Sequence, residues 1–305
     1  PDLPIAPKTE QYIAAGTLGG AALCFFAFLG LGMLNNKVKN KHDLTGQTRQ
    51  PIIAELPRMS KKERRNTALF IKGEQSVMAE CFHILRNNVD SLLPRPDEGG
   101  HVIMLTSTTP GEGKTFTSAN LAASFAKAGR KVLLIDGDLR KSSLTLQMGG
   151  HGRRGLTSIL LNQVDDPFHI IRQAGENNTP FDFLGTGPAA PNPVTLLSQP
   201  LLAQILECFR KKYDAVIIDT PPYGILADTA ILAALSDISL YLIRSGMIDK
   251  RYFTQIQKLA DSGKLPNLAY IINAVDFKSS SHSYYGYNYG YRYSYGSDKK
   301  TAGKN

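Results

Sequence analysis

Between residues 74 and 277 short apolar runs recur at 102–105, 132–135, 181–184, 215–218, 238–243 and 269–272. Each has the length and the Val/Ile/Leu content of a strand buried on both faces. Between most of them lie stretches with helical spacing, such as 118–128 and 195–212. Strands that alternate with helices predict βαβ units, and so an α/β domain whose mostly parallel sheet is flanked by helices.

The pattern at the N-terminus is of another kind. No charged residue falls between Glu10 and Lys37, and the run 12–34 is apolar or small almost throughout. As a helix it would span about 35 Å, enough for a bilayer core. It is too long for the apolar part of a signal peptide, and no basic region precedes it. The prediction is a transmembrane helix at 12–34, after a proline-rich stub at 1–11. Lys37, Lys39 and Lys41 follow at once, which places the C-terminal side in the cytoplasm. Gly16 and Gly20 have the G-x-x-x-G spacing that lets a second helix approach closely. The chain opens on Pro1 rather than Met, so a longer protein is expected around it.

Residues 35–73 carry Pro51 and Pro57 and little apolar periodicity, and are read as a basic juxtamembrane linker. Charge sharpens that reading. The whole chain has a formal net charge of +9, and residues 35–72 alone hold ten Lys/Arg against three carboxylates. Anionic lipid is the expected partner, at roughly 1 kcal/mol per basic residue near the surface. Nucleic acid is not, because the cluster has no interleaved aromatics and no folded context.

With 42% hydrophobic and 20% charged residues, the chain can bury a sizeable core. Its three cysteines, Cys24, Cys81 and Cys208, form no C-x-x-C pair, which excludes a disulfide framework and a thiolate metal site. At residue 278 the composition changes abruptly. The stretch 279–297 contains Ser, Gly, Asn, His282, Arg292 and seven tyrosines: Tyr284, Tyr285, Tyr287, Tyr289, Tyr291, Tyr293 and Tyr295. With almost no aliphatic residue it cannot bury enough surface to fold alone, so 278–305 is read as a disordered Tyr-rich tail. Thirteen such residues reach on the order of 20 Å.

The strongest chemical signal is the stretch Ser107-Thr-Thr-Pro-Gly-Glu-Gly-Lys-Thr115, between a strand-like run and a helix-like one. Gly111 and Gly113 let backbone N–H groups turn toward phosphate oxygens, and the helix N-terminus adds a favourable dipole. Lys114 would reach the β- and γ-phosphates, and the Thr115 hydroxyl would bind Mg²⁺. The candidate ATP cradle is therefore Thr109, Pro110, Gly111, Glu112, Gly113, Lys114, Thr115 and Phe116. Thr108 stands where the usual motif has its first glycine.

Two carboxylate motifs accompany the loop. Val132-Leu-Leu-Ile-Asp-Gly-Asp-Leu-Arg140 ends one buried run with Asp136 and Asp138, and Val216-Ile-Ile-Asp-Thr-Pro-Pro222 ends another with Asp219. In an open parallel sheet ligands gather at the carboxyl ends of strands, so all three aspartates can converge on the phosphate loop. Phosphoryl transfer needs a metal held by carboxylate or hydroxyl groups and a base for the nucleophile. Asp219 suits the metal's surroundings, and Asp136 or Asp138 suits the base.

On these residues the chain resembles the bacterial tyrosine kinases, P-loop proteins unlike the eukaryotic kinases, with a second D-x-D-x-R motif. The likeness takes in Lys114 and Thr115, then Asp136, Asp138 and Arg140, then Asp219 and Pro222, and the terminal tyrosines. Pro1, Pro4 and Pro7 ahead of the apolar helix look like the end of a polysaccharide co-polymerase's periplasmic region. The resemblance implies an Mg-ATP-dependent autokinase of the bacterial inner membrane that regulates capsular or exopolysaccharide assembly. It implies Asp136 as base, Thr115, Asp138 and Asp219 around the metal, Arg140 at the ATP, and the tail tyrosines as phosphoacceptors. Its implied partners are other copies in a ring, a tyrosine phosphatase and the polysaccharide export machinery.

One departure stands out. The family joins subunits through a helix motif E-x-x-R-x-x-R, and here Glu80, His83 and Arg86 put histidine at the middle position. Two rivals share the phosphate loop. Partitioning-type ATPases carry an extra lysine where this chain has Thr109. A chain-length-regulator scaffold would bind ATP and make no phosphotyrosine.

Overall fold

The computed structural model describes residues 9–34, 36–60, 76–94, 99–150, 153–175, 179–223 and 227–277. The Tyr-rich segment and the phosphoacceptor tyrosines lie outside the described residues, as does part of the basic stretch. Residues divide into two units at Lys37/Val38.

The first unit is the helix α1, Thr9–Leu34. Its 20 residues Glu10–Leu29 are long and apolar enough to cross a membrane. Thr17, a polar side chain within the run, returns its hydroxyl to the carbonyl of Ile13 at 2.7 Å, which satisfies the donor without water.

The second unit is built on seven strands: β1 Ile52–Pro57, β2 His101–Ser107, β3 Val132–Asp136, β4 Asp182–Leu184, β5 Ala215–Asp219, β6 Ile238–Arg244 and β7 Ala269–Val275. They form one parallel sheet in the order β1-β7-β6-β2-β5-β3-β4. Strand periodicity sorts the apolar residues between two cores. Val102, Met104, Leu133, Ile135, Val216 and Ile218 enter one, and Ile103, Leu105, Val132, Leu134, Ala215 and Ile217 the other. Because both faces are covered, the strands read as continuous apolar runs.

Helices fill both sides. α2 (Val77–Leu92) and α3 (Lys114–Lys127) cover one face with Phe82, Leu85, Leu121 and Phe125. The short α4 (Ser143–Gln147) and α5 (Leu156–Leu160) follow β3, and α6 (Pro193–Leu197) follows the edge strand β4. The other face is packed by α7 (Pro200–Lys212), α8 (Ala227–Ala234) and α9 (Lys250–Asp261), which contribute Phe209, Leu232 and Phe253.

Two sequence expectations are corrected. The segment 35–73 is not simply a linker, because β1 lies within it and pairs with β7 at the sheet edge. Val38, Leu44 and Leu56 are wholly buried, and Lys250 pairs with Asp43 at 2.6 Å. The folded body thus begins near Val38 rather than Glu74. The expected helix at 195–212 is two helices, because Pro200 excludes helical geometry at Gln199, which stands extended at φ −69, ψ 141.

Candidate active site

β2 delivers the phosphate loop and α3 receives it. Gly113 caps α3 in the left-handed region at φ +102, and Gly111 stands at φ +85. A Cβ on Gly113 would come within 2.3 Å of Asn273 Nδ2, so the position admits only glycine. α3 has no side-chain cap. Its first amide hydrogens therefore stay available to an anion.

The loop is clamped from behind by the carboxyl ends of β6 and β7. Glu112 turns its carboxylate inward, where it accepts from the Thr109 amide at 2.6 Å, the Thr109 hydroxyl at 2.9 Å and the Arg244 amide at 3.1 Å. Burial pushes this carboxyl above its usual range. The Glu112 carbonyl accepts from Asn273 Nδ2 at 2.7 Å, and the Gly111 carbonyl from Arg244 Nη1 at 3.1 Å.

Lys114 is buried and donates from Nζ to Ser107 Oγ at 2.8 Å. Burial lowers its pKa, opposed by the charges of Asp219, Glu112 and Asp138. Thr115 Oγ1 donates to Asp219 Oδ2 at 2.8 Å, and Ser118 Oγ to Asp219 Oδ1 at 3.0 Å.

Asp136 ends β3 directly beside Asp219 of β5. Its Oδ2 accepts from both the amide and the hydroxyl of Thr145 at 2.7 Å, while Oδ1 receives only the Asp138 amide at 3.2 Å. Asp136 is fully buried, and burial, then the neighbouring Asp219, pushes its carboxyl up to about 7. Asp138 is partly exposed, and its Oδ1 accepts the amides of Arg140 at 3.2 Å and Lys141 at 3.1 Å. A Cβ on the intervening Gly137 would meet Ile218 Cγ2 at 2.9 Å, which explains the glycine between the two aspartates.

The fold therefore brings Lys114, Thr115, Asp136, Asp138 and Asp219 together at the carboxyl ends of β2, β3 and β5. Two expected nucleotide contacts point elsewhere. Arg140 lays its guanidinium on Asp228, Nε to Oδ2 at 2.7 Å and Nη2 to Oδ1 at 3.2 Å. The Phe116 ring packs edge-on against Phe82 at 6.0 Å, leaving only its backbone for a phosphate. On α2, Glu80 is exposed, while Arg86 spends one donor on the Ser124 carbonyl at 3.1 Å and His83 lines the groove between α2 and α3. The sequence reading missed Ser107, Ser118, Thr145, Asp228, Arg244 and Asn273. Ser107, Ser118 and Thr145 lie inside or beside the motifs already read, whereas nothing local marks the other three.

The donor set fits a magnesium nucleotide. Among the described residues no three His, Cys, Asp or Glu side chains gather to hold a metal by themselves. A hydroxyl and one or two carboxylates, completed by phosphate oxygens, are what Mg²⁺ ordinarily takes.

Residues 100–245 match the family model described as an AAA domain. The chain is 37% identical over 215 residues to tyrosine-protein kinase YwqD of Bacillus subtilis, covering 70% of this chain and 87% of that one. It is 28% identical over 300 residues to tyrosine-protein kinase etk of Escherichia coli, covering 92% of this chain and 41% of that protein, so it spans about two fifths of that relative's length. The solved kinase domain of the Escherichia coli tyrosine kinase ETK is similar with a TM-score of 0.70 at 27% identity, over 81% of this chain and 98% of that one.

Proposed function

The chain belongs to the bacterial tyrosine-protein kinase family, and we propose that it uses Mg-ATP to phosphorylate the tyrosines of its own C-terminal segment, residues 284–295. The observation that carries this reading is the hydrogen bond from Thr115 to Asp219, with Lys114 beside it at the start of α3 and Asp136 register-paired with Asp219 on the adjoining strand end.

When bound, Mg-ATP supplies the phosphoryl group and a metal that neutralises charge between the phosphates. The amides at the start of α3 would hold phosphate oxygens, and Lys114 would turn from Ser107 to the β- and γ-phosphates. Thr115, Asp138 and Asp219 would hold the metal. Asp136 would take the tyrosine proton on Oδ1, the oxygen that carries one long hydrogen bond, while Thr145 keeps Oδ2 fixed. In the nucleotide-free site burial pushes this carboxyl up to about 7, toward the range in which a general base is most effective.

Further features of this reading are a cytoplasmic kinase domain behind α1, transfer between subunits of a ring through the Glu80, His83 and Arg86 face, and control of capsular or exopolysaccharide assembly. The experiment is phosphotyrosine mass spectrometry on the protein purified from a host without other tyrosine kinases. Lys114→Met should abolish the signal, because removing one charge-stabilising donor lowers transfer by about 10²–10³-fold. Equal phosphotyrosine in the two proteins would overturn the assignment.

A further inference from the structure

α8 begins with two adjacent residues that each hold one of the aspartate-bearing loops. Thr229 donates its hydroxyl to the Pro221 carbonyl at 2.9 Å, two residues after Asp219. Thr106 donates to the same carbonyl at 3.1 Å. Asp228 takes the Arg140 guanidinium at two points, and its side chain is 1% exposed where that of Arg140 is 39% exposed. The arrangement is asymmetric: a buried carboxylate holds a residue that otherwise faces solvent.

Arg140 sits within a tight turn. Asp138 Oδ1 accepts the amides of Arg140 and Lys141, and the Asp138 carbonyl accepts the Ser142 amide at 2.9 Å. The orientation of the Asp138 carboxylate therefore depends on where the peptide groups of Arg140 and Lys141 lie. Those peptide groups are tethered by the Arg140 side chain, whose planar, two-point pairing fixes direction as well as distance. The Gly137 amide on the Asp219 carbonyl at 2.8 Å and the buried Leu139 fix the start of the turn. What the tether holds is its solvent-facing side, the Arg140 and Lys141 peptide groups on which the Asp138 carboxylate rests.

We infer that Asp228 is a positioning residue for magnesium: acting through Arg140, it holds the Asp138 turn so that the Asp138 carboxylate faces the same metal site as Thr115 and Asp219. This deepens the kinase reading and rests on it. It also assigns Arg140 to the protein's own α8 rather than to the nucleotide.

The test is binding of ADP to the whole chain in detergent, by calorimetry, in excess Mg²⁺ and in excess EDTA. Wild type should bind more tightly with magnesium. Asp228→Asn should lose about tenfold of that magnesium-dependent gain and keep its affinity in EDTA. Asp228→Glu should recover part of the loss, and Arg140→Gln should reproduce it. The double variant Asp228→Asn/Arg140→Gln should be no worse than Arg140→Gln alone, since both act through one contact. Losses that multiply in the double variant, or affinities that fall equally in Mg²⁺ and EDTA, would overturn the inference. Should Asp228→Asn fail to fold, the solvent-facing Arg140→Gln decides, and an unchanged magnesium gain there overturns it. Absence of magnesium-dependent binding in wild type would overturn the kinase reading itself, and this inference with it.

Discussion

Asp136 and Asp219 occupy register-paired positions at the ends of the neighbouring parallel strands β3 and β5, so two buried carboxylates face one site side by side. Burial raises both, Asp136 to about 7 and Asp219 to about 6, with the Thr115 hydroxyl and the Lys114 charge working against the rise at Asp219. A carboxyl raised in the folded state contributes stability that is complete below its unfolded value. That contribution is lost as pH climbs through the folded one. In nucleotide-free protein the stability difference between wild type and Asp136→Asn should therefore shift against wild type from about pH 4 to about pH 7, by at most ~1.4 kcal/mol per pH unit for one group, and then level off. Urea unfolding across that range measures it. A difference that does not change with pH would show that Asp136 is not held neutral by its surroundings.

Asn273 tests the clamp behind the phosphate loop. Replacing it with Ala removes the donor to the Glu112 carbonyl. An unsatisfied buried polar group costs about 1–3 kcal/mol, so ADP affinity should fall by about tenfold or more if the loop's shape depends on that bond. Gly113→Ala should do at least as much, since its Cβ would collide with the same amide. Unaltered ADP binding in Asn273→Ala would mean that Arg244 and Glu112 hold the loop without help.

Truncation tests the new domain boundary. A chain starting at residue 38 keeps β1, and one starting at residue 60 loses it along with Val38, Leu44 and Leu56. Each such side chain stabilises by roughly 1.5–3 kcal/mol when buried, so the shorter chain should unfold at markedly lower urea or aggregate through the bared edge of β7. Equal midpoints would show that β1 is dispensable.

Transfer between subunits is open to a mixing experiment. Lys114→Met protein with its tyrosines intact is combined with active protein truncated after residue 278. Phosphate should appear on the inactive partner, and Glu80→Ala in both proteins should lower the yield together with the larger species in sedimentation. A tyrosine segment that stays unmodified in the mixture would confine transfer to the chain that carries it.

The parallel α/β class, six of the seven strands and the meeting of Lys114 with Asp136, Asp138 and Asp219 were legible without coordinates. The apolar runs and the aspartates at their ends are local features, and the rule that parallel strands present their carboxyl ends to ligand does the rest. β1 escaped because Pro51 and Pro57 bracket a short strand in a basic stretch, and its apolar residues Ile52, Ala54 and Leu56 alternate over too few positions to stand out. An edge strand tolerates a terminal proline that the pattern reading treats as a break. The tertiary structure alone decided which way side chains turn. Arg140 was read toward nucleotide and goes to Asp228, 88 residues away. Glu112 bonds the Arg244 amide 132 residues on, and its carbonyl the Asn273 amide 161 residues on. A hydrogen bond across such separations depends on which strands become neighbours in the sheet. That order is set by how the two cores close around it, not by any window of sequence.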